Sequence, residues 1–365
     1  MLSMKTGRVV EILKEGDDIT EVIVEINNMK YKAMNYNELT GKIKMGDNLL
    51  LNTTAVDLNL GTGGYHFVIA NTQKYDKDLC QGGHIMKLRY TPYQVKVFSA
   101  EEQDSKFHHI FNEFKSLNDM PVIVGTLHSM LSPIIEVLKN DKKDIKIAYI
   151  MTDGAALPIS FSHMVKKLKE KQLLCGTITI GNAFGGDLDC VNIYNGLIAA
   201  KEILKCDIAI VTMGPGIVGT GTKYGFSGIE QGAIIDAVND LGGIPIAIPR
   251  ISFADSRSRH KGISHHSITV LDKIAKTKAV IGIPHFEEKK HQYICAQIYN
   301  TKIEEKHNMI YIDPSTTINI LENATLKMST MGRSFQEDME YFITAGVSAQ
   351  LAIKILDDPQ LNLLK

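Results

Sequence analysis

From residue 121 onward, short apolar runs and helical segments take turns along the chain, and no other feature constrains the fold as much. PVIVGT (121–126), KIAYIMT (146–152), GTITIG (176–181), DIAIVTM (207–213), PIAIPR (245–250) and AVIGIP (279–284) are separated by segments such as SPIIEVLKN, FSHMVKKLKEK, NGLIAAKEIL, GIEQGAIIDAVNDL and SITVLDKIA. Continuous apolar runs of this length read as strands buried on both faces, and strands alternating with helices make right-handed βαβ units. The expectation is an α/β fold: a Rossmann-like, doubly wound, mostly parallel sheet over residues 101–365. Its last stretch, MGRSFQEDMEYFITAGVSAQLAIKIL, reads as a terminal pair of amphipathic helices.

The period is different before residue 100. GRVVEIL, TEVIVEI, MKYKAM, DNLLLN and YHFVIA are short alternating runs broken at Gly16–Asp18, Asn27-Asn28, Gly41 and Met45–Asp47. Five such strands predict a small N-terminal β-barrel of OB or SH3 type within residues 1–100. Between the last two strands, Leu60-Gly61-Thr62-Gly63-Gly64-Tyr65 reads as a turn needing positive φ, with an anion-holding backbone nest as the alternative.

Composition narrows the function. Forty Lys and Arg against 41 Asp and Glu leave a net charge of −1, so no overall field suits a nucleic-acid backbone. The barrel strands place acids (TEVIVEIN, KEGDD) where a single-strand binder needs aromatics and cations, so no nucleic-acid partner is expected. The five cysteines are scattered with no CxxC pair, which implies a reducing compartment and no zinc knuckle. The first 20 residues lack the apolar core of a secretory signal, and no run reaches the ~18 apolar residues of a membrane span. A cytoplasmic protein without membrane contact is expected, with a homo-oligomer left open.

In open α/β sheets ligands sit beyond the carboxyl ends of the strands. Here those ends are Gly-rich and polar: Gly125–Ser129, Thr152–Pro158, Gly181–Asp187, Thr212–Gly228 and Arg250–Ser267. Two carry most of the chemistry. TMGPGIVGTGTKYGFSG (212–228) holds six glycines and four Ser or Thr, so Gly214, Gly216, Gly219, Thr220, Gly221 and Thr222 are candidate ligand-binding residues for a phosphate. Gly214–Gly219 matches GxGxxG, but the helix begins near Ser227 and the next strand ends in Arg250 where an acid would be needed; Thr220 stands where a Walker loop has Lys.

RISFADSRSRHKGISHHS (250–267) sets Arg250, Arg257, Arg259 and Lys261 against Asp255 alone, a local charge of +3. Arg250, Asp255, Arg257, Arg259 and His260 are therefore candidate ligand contacts, with Arg forks suited to phosphate or carboxylate. His260, His265 and His266 offer nitrogen ligands for zinc or manganese, but the neighbouring cations oppose a divalent ion, and no metal is expected. Ser264 caps the helix SITVLDKIA, which puts His265 and His266 in its first turn, where the helix dipole keeps an imidazole neutral. His266 is the expected base, with His265 and Asp153 in support, Asp153 meeting His266 across the cleft.

GTGGYHF, TDGAALP, GTGTKYGFSGIEQG and RISFADSRSRHKGISHHS together resemble the bacterial family designated domain of unknown function thirty-eight sixty-six, over essentially the whole chain. The resemblance implies a cytoplasmic bacterial protein of this length and supplies no reaction or cofactor. The residues themselves point to an enzyme, a transferase or hydrolase, that binds a small anionic metabolite of phosphorylated or nucleotide type. The alternatives are a non-catalytic sensor of such an anion, or a metal-dependent hydrolase built on the three histidines. The cofactor stays unknown.

Overall fold

The computed structural model describes residues 2–60, 63–73, 78 and 81–358. They form two compact units, Met1–Gly82 with Leu88–Lys96, and Gly83–Lys87 with Val97–Lys365.

In the first unit, β1 (Met4–Glu15), β2 (Ile19–Ile26), β3 (Met29–Tyr36), β4 (Asn48–Asn52) and β5 (Tyr65–Asn71) close a barrel in the order β1-β2-β3-β5-β4. All pairs are antiparallel except β3 with β5, which run parallel. That order is an OB-type Greek key rather than an SH3-type meander. Asn27 and Asn28, at φ 49° and 62°, make the two-residue turn that right-handed strand twist favours between β2 and β3. The inward residues Val9, Val22, Val24, Ala33, Leu49, Leu51 and Val68 fill the barrel. Gly63 and Gly64 take φ 68° and 78°, as a turn before β5 requires; Gly61, Thr62 and Cys80 lie outside the described residues.

In the second unit, β6 (Pro121–Val124), β7 (Ile147–Thr152), β8 (Gly176–Thr179), β9 (Leu188–Asp189), β10 (Ile208–Met213), β11 (Ile244–Ala247), β12 (Val280–Pro284) and β13 (Asn308–Ile312) form one sheet in the order β9-β8-β7-β10-β6-β11-β12-β13. Every pairing is parallel. The chain winds outward from β7 to β9, returns to β10 beside β7, then steps across β6 to β11 and runs out to β13. Neighbours β7 and β10 therefore send their connections in opposite directions, which makes a topological switch point.

Strand residues alternate between two cores. Ile123, Tyr149 and Ile210 pack with the helices Leu131–Asp141 and Met339–Asp357, while Val124, Ile150 and Val211 pack with Leu197, Ile234 and Val238. One expectation needs correction. MGRSF is not helical: Ser329–Thr330 and Arg333–Ser334 pair around a turn at Met331 and Gly332, both left-handed at φ 49° and 80°. A single helix, Met339–Asp357, follows and is buried on nearly every side. It is not amphipathic because it lies between the sheet and the helices Leu131–Asp141 and Ser315–Glu322. Gly282 permits the approach, since a Cβ there would stand 3.2 Å from Val347.

This helix starts at Asp338, whose fully buried carboxylate accepts hydrogen bonds from Ser252 Oγ (2.7 Å) and Arg333 Nε (2.9 Å). Asp338→Ala should cost roughly 2–4 kcal/mol in denaturant unfolding, somewhat under the loss for a wholly buried pair because Arg333 reaches solvent. A cost below about 1 kcal/mol would show that the carboxylate does not anchor the helix start.

Candidate functional site

The strand ends β6, β10 and β11 open onto two chambers. The first, about 330 Å³, is walled by Gly219, Gly221, Arg250, Arg257, Arg259, His260 and His266 with Leu127, Ile217, Val218 and Met331. The second, about 340 Å³, has Gly214, Gly216, His128, Ser129 and Thr330 in its wall and shares Leu127, Ile217 and Met331 with the first. The glycine loop and the basic loop thus meet at one cavity.

Arg250 follows β11 and is held at three points. Its N–H donates to Ser267 Oγ (2.8 Å), its carbonyl accepts from the Ser264 N–H (2.8 Å), and its Nη2 donates to Asp255 Oδ2 (2.8 Å). Its buried Nε has no hydrogen-bond partner. Asp255 also accepts from Arg257 Nε (2.9 Å), Nη2 (2.8 Å) and backbone N–H (3.1 Å). These Arg257 bonds, with those from Arg250, hold the Asp255 carboxyl far below the usual carboxylate range. Asp255, expected to touch a ligand, is instead fully engaged and positions two arginines, which leaves the three groups a net charge of +1. Arg259 is exposed and has no ion-pair partner among the described residues; Lys261 Nζ stands 5.7 Å from the Tyr293 ring centre.

The helix His265–Thr269 is capped as expected, the His266 N–H donating to Ser264 Oγ (3.3 Å). His260 Nδ1 lies 2.8 Å from the same oxygen. The His260, His265 and His266 rings are mutual neighbours, with centres 4.2–5.0 Å apart, and Phe226 stacks on His266 at 3.9 Å. Burial first, then surrounding positive charge, depresses all three: His260 to about 3, His266 to about 4, and His265 below its ordinary value. All three are therefore neutral near pH 7. Nε2 of His265 and of His266 is buried without a hydrogen-bond partner among the described residues.

Asp153 does not join them. Its Oδ2 accepts from the Asn182 N–H (3.0 Å), tying the β7 and β8 ends together, and no hydrogen bond links it to His266. The reason is strand order: β10 and β6 lie between β7 and β11, which at about 4.8 Å per strand separates their ends by roughly 14 Å.

The glycine loop is also differently arranged. Thr220 N–H donates to the Gly225 carbonyl (2.8 Å) and Ser227 N–H to that of Val218 (3.0 Å), so residues 218–227 fold back as a hairpin ahead of the helix. Gly214 and Gly216 wall the second chamber, Gly219 and Gly221 the first. Thr220 Oγ1 bonds the Gly225 carbonyl (3.0 Å) and Thr222 Oγ1 (2.9 Å), which in turn accepts from the Gly225 N–H (3.2 Å). These hydroxyls brace the hairpin and line neither chamber, contrary to expectation. Gly219 is needed for space: a Cβ there would stand 3.1 Å from His266 Cε1.

Two site-edge residues escaped the sequence reading. Glu230 opens the helix Glu230–Asp240 and accepts from Thr152 Oγ1 at the β7 end; burial raises it to about 7. His128, in the second chamber, is lowered to about 4 by burial, its Nε2 2.6 Å from Ser162 Oγ and its Nδ1 3.0 Å from the Tyr149 hydroxyl. The Gly125–Ser129 strand end signalled the second; nothing in GIEQG distinguishes Glu230 from an ordinary first-turn acid.

A family model described as "Protein of unknown function (DUF3866)" matches residues 32–349, from β3 of the barrel through most of the last helix. The chain belongs to this family. Comparison with curated proteins finds no match. Among the described residues of this DUF3866 member, no helix is long and apolar enough to cross a membrane.

Two outcomes follow for this DUF3866 chain. Glu230 titrates near 4.5 when unfolded and about 7 when folded, so between those values the folded state holds the extra proton and stability falls as pH rises. Glu230→Gln should therefore gain about 2 kcal/mol on the wild type between pH 5 and pH 8, read from unfolding midpoints; a pH-independent difference would contradict the raised value. Gly219→Ala should leave the fold intact, because its neighbour is a movable ring, yet shift the His266 imidazole signals in NMR spectra. Unchanged signals would mean the hairpin yields first.

Proposed function

We propose that the protein is an enzyme that binds a small phosphorylated or nucleotide-type metabolite at the carboxyl edge of its sheet and acts on it by transfer or hydrolysis. One observation carries this reading: the first chamber gathers Gly219, Gly221, Arg250, Arg257, Arg259, His260 and His266 from two loops into one cavity. Among the described residues, Arg250 is buried there with an unpartnered Nε, Arg259 has no carboxylate partner, and Asp255 alone offsets the cations. Such a cavity suits an anion, and Arg forks suit one with several oxygens. The adjoining second chamber, mostly apolar but edged by Ser129 and Thr330, accommodates the remainder of the metabolite.

Transfer or hydrolysis is favoured over hydride transfer because the GxGxxG match does not make a dinucleotide turn. Its glycines are divided between two chambers, and Gly219 sits in a hairpin rather than at a helix start. Neutral imidazoles beside the anion supply lone pairs for the chemistry.

Arg259→Ala is the sharper test, since Arg257 also holds Asp255. Calorimetric affinity for inorganic phosphate, or for a nucleotide that binds the wild type, should fall about 10–100-fold, the worth of one charge-assisted bond. The fold should not change, because Arg259 is exposed. Unchanged affinity rejects the chamber as the anion site; binding without any turnover over a panel of phosphorylated metabolites favours a sensor.

A further inference from the structure

The unmet hydrogen-bonding capacity of the site is concentrated on its histidines. One nitrogen from each of His260, His265 and His266 lies within 4.8 Å of the others. Among the described residues, Nε2 of His265 and of His266 is buried with no partner, a costly state for a ring nitrogen that an ordinary core histidine avoids. His260 is oriented by its Nδ1 contact to Ser264 Oγ, which leaves the opposite nitrogen to act, in the manner of a metal-ligating histidine steadied through its second nitrogen.

We propose that His260, His265 and His266 together bind one divalent transition-metal ion, with zinc the best match, and that an oxygen of the anion in the cationic chamber takes its fourth position. Three nitrogen ligands with an open fourth site are the donor set of catalytic zinc, and bonds of about 2.0–2.1 Å require only that the rings draw together by roughly 1 Å. Phe226, stacked face to face on His266, sets the plane in which that ring can shift.

Charge is the objection to a metal here, and the structure reduces it. Asp255 offsets one of the two arginines it binds, and Lys261 is turned to the Tyr293 ring. What remains, a net +1 from the clamp plus Arg259, still opposes a lone dication and favours a dication accompanied by an anion. His260 and His266 wall the same chamber as Arg250, Arg257 and Arg259, so one phosphate oxygen can reach the metal while the others meet guanidinium. Metal and anion must then raise each other's affinity by the same factor. The metal site stands on the histidines alone; the coupling rests on the reading of the chamber as an anion site.

The test uses the full chain after chelator treatment, titrated calorimetrically with Zn²⁺ in the presence and absence of inorganic phosphate, and with Co²⁺ followed by its visible spectrum. One Zn²⁺ per chain is expected, bound more tightly with phosphate present, together with a tetrahedral cobalt spectrum. His265→Ala and His266→Ala should each weaken Zn²⁺ by at least about 100-fold. Arg259→Ala should keep Zn²⁺ binding and lose most of the phosphate enhancement. Absence of a stoichiometric site, or a cobalt spectrum of octahedral type, in the wild-type chain overturns the proposal whether or not the variants fold. Zn²⁺ binding indifferent to phosphate overturns the shared ligand, and the anion reading falls with it only if phosphate itself does not bind. A wild-type chain that binds phosphate but takes up no Zn²⁺ overturns the metal site and leaves the anion reading standing.

Discussion

A parallel strand exposes two apolar faces, so the eight-stranded sheet exists only because helices cover both of them. Everything at the site follows from that requirement. The covering helices force each connection over the sheet, and the connections leave at one edge only, the carboxyl edge. Met339–Asp357 completes the cover on one face and is itself buried almost all round. Its first turn is anchored by Asp338 to Arg333 and Ser252, which places the Met331 turn between the two chambers. A distant packing demand thus shapes a wall of the cavity.

Within the cavity, one carboxylate organises the charge. Asp255 holds Arg250 and Arg257 together, and without it two guanidinium groups would repel at close range. The same positive surroundings keep His260, His265 and His266 unprotonated, while burial contributes the larger share. Neutral nitrogen donors therefore stand beside fixed cations, lone pairs on one side of the site and positive charge on the other.

Much of this was legible in the residues. Apolar runs of four to six residues, too short for helices and alternating with helical segments, read as strands covered twice, so the sheet and its parallel sense were readable from run length and alternation. Ser264 before His265-His266 announced the cap, and the cluster Arg250–His266 announced the pocket. What was not readable is whatever depends on strand order. Asp153 and His266 both follow strands, yet two strands stand between theirs, and no local pattern records that β10 returns beside β7. Thr220 and Thr222 look like ligand donors until the hairpin that uses them is seen. The terminal helix defeated the amphipathic reading because its burial depends on the sheet and two other helices, which its own sequence does not record.

The three-point hold on Arg250 has a thermodynamic meaning. A free arginine surrenders up to about 2 kcal/mol of rotamer freedom when it grips a ligand, which offsets much of what its charge contributes. Arg250 has already given up much of that freedom in the folded chain, where burial and the Asp255 carboxylate fix its side chain while Ser264 and Ser267 hold its backbone, whereas exposed Arg259 has not. An anion bound as proposed would therefore meet one rigid donor and one that must be ordered. The first would set where the anion rests, and the second, moving on its own nanosecond timescale, how readily it goes.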